Sequence, residues 1–262
     1  MRRWTTTTHS RSPSTRTVGG VAWRRIGGRR SAKRRRSCPR PPSGERRRPR
    51  PRPKSSSPIL NQLIKNDNYN KIKLFVRSEL IINEPKVEIT KTDFNNLDNY
   101  KEDIKGDDCF FCIGTTKQNS PDKNEYQKVE LEIPKKIAEI AKINSVNSFI
   151  FISSIYANPK SSGDYVKFKG LVEEELKKLN FSTLGILRPS FLMGDRKENR
   201  VGEKMGILTF RLLSPLLLGS FKKMRPINSE KVARAMIKIA NENLEKTVFE
   251  SDEIVELTSG YI

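Results

Sequence analysis

Residues Ser55–Arg77, SSSPILNQLIKNDNYNKIKLFVR, read as a capped helix running into a buried strand. Ser57 suits an N-cap and Pro58 the first helical position, where a missing N–H removes no intrahelical bond. Ile59, Leu60, Leu63 and Ile64 then fall on one face of a short helix. KIKLFVR, Lys71–Arg77, follows as a strand rich in apolar and β-branched residues.

The same alternation continues downstream. NNLDNYKEDI reads as a short helix, and DDCFFCIGTT as a hydrophobic strand ending in a turn of small residues. From about Glu125 to Ile143 a longer helix places Val129, Ile133, Ile137 and Ile140 on one side, with Pro134 expected to kink it. NSFIFISS is a strand, YVKFKGLVEEELKKL a helix and STLGILRPS another strand. Continuous apolar strands separated by helices predict a parallel sheet covered on both faces, an open doubly wound α/β fold. Ligands of such sheets bind beyond the carboxyl ends of the strands.

Charge divides the chain. Of a net +21, residues 1–57 supply +18, from 17 Arg and 2 Lys against Glu45. Residues 58–262 are nearly balanced, and there lysine outnumbers arginine 25 to 7. Runs such as RRSAKRRRSCPRPPSGERRRPRPRPKSSS bury too little apolar surface to offset ordering entropy, so residues 1–57 are expected to be a disordered basic tail ahead of a domain spanning 58–262. Three readings of that tail stay open: an organelle presequence, an arm touching nucleic acid or acidic lipid nonspecifically, or a segment of separate origin with no physiological role. No run of about 18 apolar residues predicts a transmembrane helix.

His9, the only histidine, lies in the tail, which excludes a histidine base, triad or zinc ligand from the folded part. Cys109 and Cys112 have the spacing of a redox or zinc half-motif. Residues three apart in a strand face opposite sides, however, which favours small core residues over a reactive pair.

Tyr165 and Lys169 carry the chemistry. Four residues apart at a helix start, they share one face, so an ammonium lies beside a phenol and favours its ionisation, as a tyrosine acid/base requires. Ser153-Ser154, ending the preceding strand, offer a hydroxyl to hold a carbonyl oxygen against that phenol. Taken alone, Tyr-x-x-x-Lys also describes a plain amphipathic helix start.

Four segments in order, DDCFFCIGTTK, FISSIYANPKSSGDYVKFKGLVEEEL, LGILRPSFLMGDRKENRVGE and RPINSEKVARAMI, supply the context. Together they resemble the atypical short-chain dehydrogenase/reductase family that includes the Tat-interacting oxidoreductases and the yeast-type mitochondrial outer-membrane dehydrogenase-like proteins. The resemblance implies a Rossmann-like domain with Tyr165 as acid/base, Lys169 as its partner and ribose ligand, and Ser154, with Ser153 second, as donor to the substrate oxygen. By the same resemblance Arg77 would meet an adenosine 2′-phosphate and favour NADP(H) over NAD(H), its fork suiting a phosphate. Asp93 would lie near the adenine, Ile113, Gly114 and Thr115 along the cofactor, and Leu187 and Arg188, with Pro189 and Ser190, near the nicotinamide. Asp195 and Arg196 are expected to form a structural ion pair.

One departure stands out. Family members open with a strand and a glycine-rich turn of the form G-A-T-G-x-x-G ahead of the helix matched by PILNQLIKN, and here both are expected to be missing. Glycine there lets backbone amides at a helix N-terminus approach a pyrophosphate. The implied function is an NADP(H)-dependent oxidoreductase acting on a small carbonyl or alcohol. The alternatives are a noncatalytic regulatory or scaffold relative working through protein partners, and a defective gene model of an active enzyme. The implied location is the mitochondrial outer-membrane surface or the cytoplasm. The segment Val201–Pro226, which should shape the substrate pocket, holds no polar constellation that names a substrate.

Overall fold

The structure is a computed structural model that describes residues 16–23, 57–193, 223–242 and 244–260. Its strands in chain order are β1 (Arg16–Trp23), β2 (Tyr69–Val76), β3 (Val87–Lys91), β4 (Asp108–Phe111), β5 (Ser148–Ile152), β6 (Thr183–Arg188), β7 (Leu192–Met193), β8 (Ile227–Asn228) and β9 (Val248–Glu250). Its α-helices are α1 (Pro58–Lys65), α2 (Lys123–Gln127), α3 (Ile133–Ile143), α4 (Asp164–Lys178), α5 (Ser229–Asn241) and α6 (Ser251–Leu257). Seven strands form a parallel sheet in the order β3-β2-β1-β4-β5-β6-β9, and β7 pairs with β8 apart from it. This is the doubly wound parallel architecture expected from the sequence, and its order switches direction between β1 and β4.

Apolar clusters cover both faces. Leu60, Leu63, Ile72, Leu74, Met236 and Phe249 belong to the cluster under α1, α5 and α6; Phe111, Ile137, Phe149, Phe151, Val172 and Leu176 belong to the one under α3 and α4. Ser57 and Pro58 open α1 as expected, although the Ser57 hydroxyl makes no capping bond.

One expectation is corrected and another is refined. The first concerns the missing strand: Arg16–Trp23, from inside the basic segment, occupies the centre of the sheet as β1, parallel to β2 on one side and β4 on the other. Net charge averaged over 57 residues conceals the short apolar stretch TVGGVAW. Without it β2 and β4 would each present an unpaired edge inside the molecule. The ladder slips by one residue around Gly19-Gly20 on both sides, so the glycine pair sits at a bulge rather than in a turn. Arg16 anchors the strand, donating from Nη1 to Ala240 O at 2.7 Å and lying 3.4 Å from Asp108 Oδ2. Burial pushes the Asp108 carboxyl up, offset in part by Ser148 and Arg16. The expected absence of a glycine-rich turn, and the expected disorder of the rest of the basic segment, fall on residues 1–15 and 24–56, outside the described residues.

The second concerns the long helix, which runs without a break over residues 123–143 as expected; its irregularity is a π-helical segment, Lys128–Glu132, between α2 and α3, directly before Pro134 in the first turn of α3. Proline has no N–H for the carbonyl four residues back, and widening the turn accommodates that loss.

Candidate functional site

Most of the chemistry sits at the carboxyl ends of β2 to β6. The first part of the site is a cavity of about 370 Å³ whose lining includes Arg77 after β2, Lys91, Thr92 and Asp93 at and after β3, Ile113 after β4, and Lys128. Three residues assigned to the cofactor by resemblance, Arg77, Asp93 and Ile113, thus share one cavity, joined by Phe94, Tyr100 and Val129. Asp93 accepts from Asn95 N at 3.0 Å and Asn96 Nδ2 at 2.8 Å, and the backbone bond from Asn95 leads in lowering its pKa. No carboxylate among the described residues pairs with Arg77, which leaves its guanidinium available to an anion.

Of the turn Ile113-Gly114-Thr115, Ile113 lines this cavity, and Gly114 and Thr115 continue the chain from it. Thr115 donates its backbone N–H to Glu130 Oε1, and its hydroxyl lies 3.0 Å from Ser120 Oγ. An added Cβ on Gly114 would stand 3.4 Å from Glu130 Oε1, so the carboxylate rests against the bare backbone of this turn.

The second part lies at the start of α4. Tyr165 is 38 % exposed, whereas Lys169, one turn on, is 3 % exposed with its Nζ 5.8 Å from the Tyr165 ring centre. Lys169 donates to Ile152 O at 3.2 Å, stands 3.1 Å from Glu130 Oε2, and lies over the Phe151 ring at 4.8 Å. Ser154 is 9 % exposed and its Oγ donates to Ile155 O at 3.2 Å.

Local sequence explains how these groups meet. The segment after β5 turns through Tyr156 at φ 63°, and the next residues lie against α4, where Asn158 N donates to Val166 O at 3.1 Å. Gly170 makes that contact possible, because a Cβ there would come within 2.4 Å of Pro159 N and 2.5 Å of Asn158 C. Ile155 N also donates to Pro189 O at 3.1 Å, which joins the ends of β5 and β6.

Other expected site residues take different places. Ser153 donates to Glu173 Oε1 at 2.5 Å, whereas the Ser154 hydroxyl donates to the neighbouring Ile155 carbonyl. Leu187 is fully buried in the core cluster under α5. Arg188 is clasped by Glu173, at 2.9 and 2.5 Å, and by Glu250 at 3.0 Å. Those carboxylates, Glu173 first, hold its guanidinium firmly protonated. The Arg188 side chain is 22 % exposed and Glu173 only 2 %, so Arg188→Met leaves a buried carboxylate without its cation. We expect this change to cost about 3–5 kcal/mol in denaturant unfolding, and a loss below about 1 kcal/mol would dismiss the pair as a structural element.

Cys109 is buried and Cys112 half-buried, both reduced; burial raises both thiols, Cys112 to about 12, as befits packing residues. Asp195 and Arg196, and most of the segment expected to shape the substrate pocket, lie outside the described residues. Glu130 and Glu173 were not foreseen from the sequence. In a regular helix Glu130, three residues before Ile133 and seven before Ile137, already falls at the margin of the apolar face, and its partners Lys169 and the Thr115 N–H come from distant segments.

Known proteins agree with this architecture. A family model described as NAD(P)H-binding matches residues 54–243. Protein HTATIP2 of Rattus norvegicus is 32 % identical over 149 residues, 55 % of this chain and 61 % of that protein, so the match spans under two thirds of this relative. The mitochondrial protein FMP52 of Eremothecium gossypii is 27 % identical over 209 residues, 76 % of this chain and 90 % of that protein. Among solved structures, a UDP-N-acetylglucosamine 4-epimerase from Methanobrevibacter ruminantium, bound to UDP-N-acetylmuramic acid, superposes with a TM-score of 0.55 at 19 % identity, covering 74 % of this chain and 71 % of its own, a likeness of fold. With a doubly wound sheet, a cavity at the strand ends and a matching family model over most of its length, the chain belongs to the NAD(P)H-binding family and is a relative of HTATIP2 and FMP52 with the short-chain dehydrogenase/reductase type of fold.

Proposed function

We propose that this chain is an NADP(H)-dependent oxidoreductase acting on a small carbonyl or alcohol. The observation that carries the reading is the placement of Tyr165 over Lys169 at the strand ends of a sheet whose neighbouring cavity holds Arg77. That cavity has the volume, aromatic wall and free guanidinium to take an adenosine with its 2′-phosphate, with Arg77 on the phosphate and Asp93 and Ile113 at the adenosine. Lys169 would bind the ribose hydroxyls, and the turn Ile113-Gly114-Thr115 would line the cofactor's path. When bound, the dinucleotide supplies or accepts a hydride.

The chain's own residues handle the proton. Ser154 would hold the substrate oxygen by hydrogen bond, and Tyr165 would give that oxygen a proton in reduction or take one in oxidation. Lys169, held charged beneath the ring, favours the phenolate that results. The names of the FMP52 relatives support a mitochondrial location, and the basic N-terminal segment suits contact with an acidic outer-membrane surface. Fractionation that finds the protein away from mitochondria would remove that part of the reading.

Fluorescence titration with NADPH and NADH tests the cofactor assignment. The full chain should bind NADPH more tightly, and Arg77→Ala should weaken NADPH by about ten- to a hundredfold, the worth of a charge-assisted hydrogen bond, with NADH little changed. Absence of NADPH binding at about millimolar cofactor, the weak end of specific affinities, would overturn the oxidoreductase reading.

A further inference from the structure

Glu130 is a fully buried carboxylate that the scheme above leaves without a task. It projects from the π-helical segment between α2 and α3 and reaches both halves of the site. Its Oε1 accepts the Thr115 N–H of the turn beside the cofactor cavity, and its Oε2 stands 3.1 Å from Lys169 Nζ. That second oxygen is within ion-pair distance but outside hydrogen-bond geometry, and no other group among the described residues satisfies it. The lysine is otherwise enclosed by the Phe151 ring and the Ile152 carbonyl, surroundings in which an uncompensated ammonium is costly.

We propose that Glu130 is a positioning residue of the proton-transfer site: its carboxylate holds the Lys169 ammonium charged beneath Tyr165 and ties it to the turn Ile113–Thr115. This rests on the function proposed above. The other ionisable groups facing Lys169 are Tyr165 and Glu173 on its own helix and Cys112 after β4, while Tyr126 of α2 faces Glu130. Glu173 is occupied by Arg188 and Ser153, and the Cys112 thiol ionises only near the top of the accessible range. Glu130 is therefore the anion that keeps Lys169 protonated. Burial acts to lower the lysine's pKa; Glu130, ahead of Tyr165 and Glu173, reverses that, and the net direction is upward.

The test uses the full chain with ¹³Cε-labelled lysine, Lys169→Met identifying the resonance, together with NADPH titrations from about pH 6.5 to about pH 9, the span between histidine and lysine ionisation. Glu130→Gln keeps the acceptor for Thr115 N–H and removes the charge. Its Lys169 resonance should titrate at lower pH than in the unaltered chain, and its NADPH affinity should fall about tenfold across that span while the unaltered chain holds steady. Glu130→Asp, which restores the charge, should recover both behaviours. A Lys169 titration unmoved by Glu130→Gln, or the same loss of affinity at every pH, would overturn the proposal. If the unaltered chain binds no NADPH, the function proposed above fails, and the lysine titration still decides whether Glu130 holds the ammonium.

Discussion

A chain reduced to residues 58–262 should fail to unfold cooperatively, whereas one lacking only residues 1–15 should retain a cooperative thermal transition. The first deletion removes β1, which pairs with β2 and β4 along the middle of the sheet. Each neighbour then loses its partners on one side in a place that water reaches poorly, and each buried, unpaired backbone group costs about 1–3 kcal/mol. Several such groups match the whole stability of an ordinary domain, about 5–15 kcal/mol. The cut also strands Asp108, 1 % exposed, without Arg16. Circular dichroism melts of the two truncations decide the matter: a 58–262 fragment that melts as sharply as the full chain would remove β1 from the fold.

Tyr165→Phe should leave the melting transition in place and reduce NADPH-linked carbonyl reduction by about a hundred- to ten-thousandfold, the usual contribution of a positioned acid/base. Tyr165 is 38 % exposed and its ring rests on the helix start, so the loss of one hydroxyl should shift stability by no more than about 0.5 kcal/mol. NADPH affinity should be nearly unchanged, because the cavity and Lys169 remain. The assay is NADPH absorbance against a panel of small aldehydes and ketones, and equal rates for the two proteins would take the acid/base role away from Tyr165.

Legibility in the sequence followed the range of the interaction. Tyr165 and Lys169 lie one helical turn apart, and their meeting follows from helix geometry alone. Arg77, Asp93 and Ile113 come from three separate strand ends, yet their convergence was foreseeable once the strands were taken as parallel, since a parallel sheet gathers its carboxyl ends on one side. Glu130 stands at the margin of the apolar helix face, seven residues before Ile137, but the groups that enclose it, Lys169 and the Thr115 N–H, come from other segments and leave no periodic signal. The clasp of Ser153 and Arg188 by Glu173 was equally unreadable, because it joins α4 to the ends of β5 and β6 through contacts that carry no periodic signal.

The sequence by itself determined the alternation of apolar strands with amphipathic helices, hence a parallel sheet, and it determined the Tyr165/Lys169 pair, because both depend on neighbours within a turn or two of the chain. Only the tertiary structure decided which segment stands at the centre of that sheet. The eight residues of β1 have weak strand character among arginines, and their place is set by β2 and β4, whose unpaired edges select them from more than 40 residues away. It also decided which buried charges meet: Lys169 with Glu130 and Arg188 with Glu173 are pairs that desolvation enforces, and burial exists only once the layers have packed.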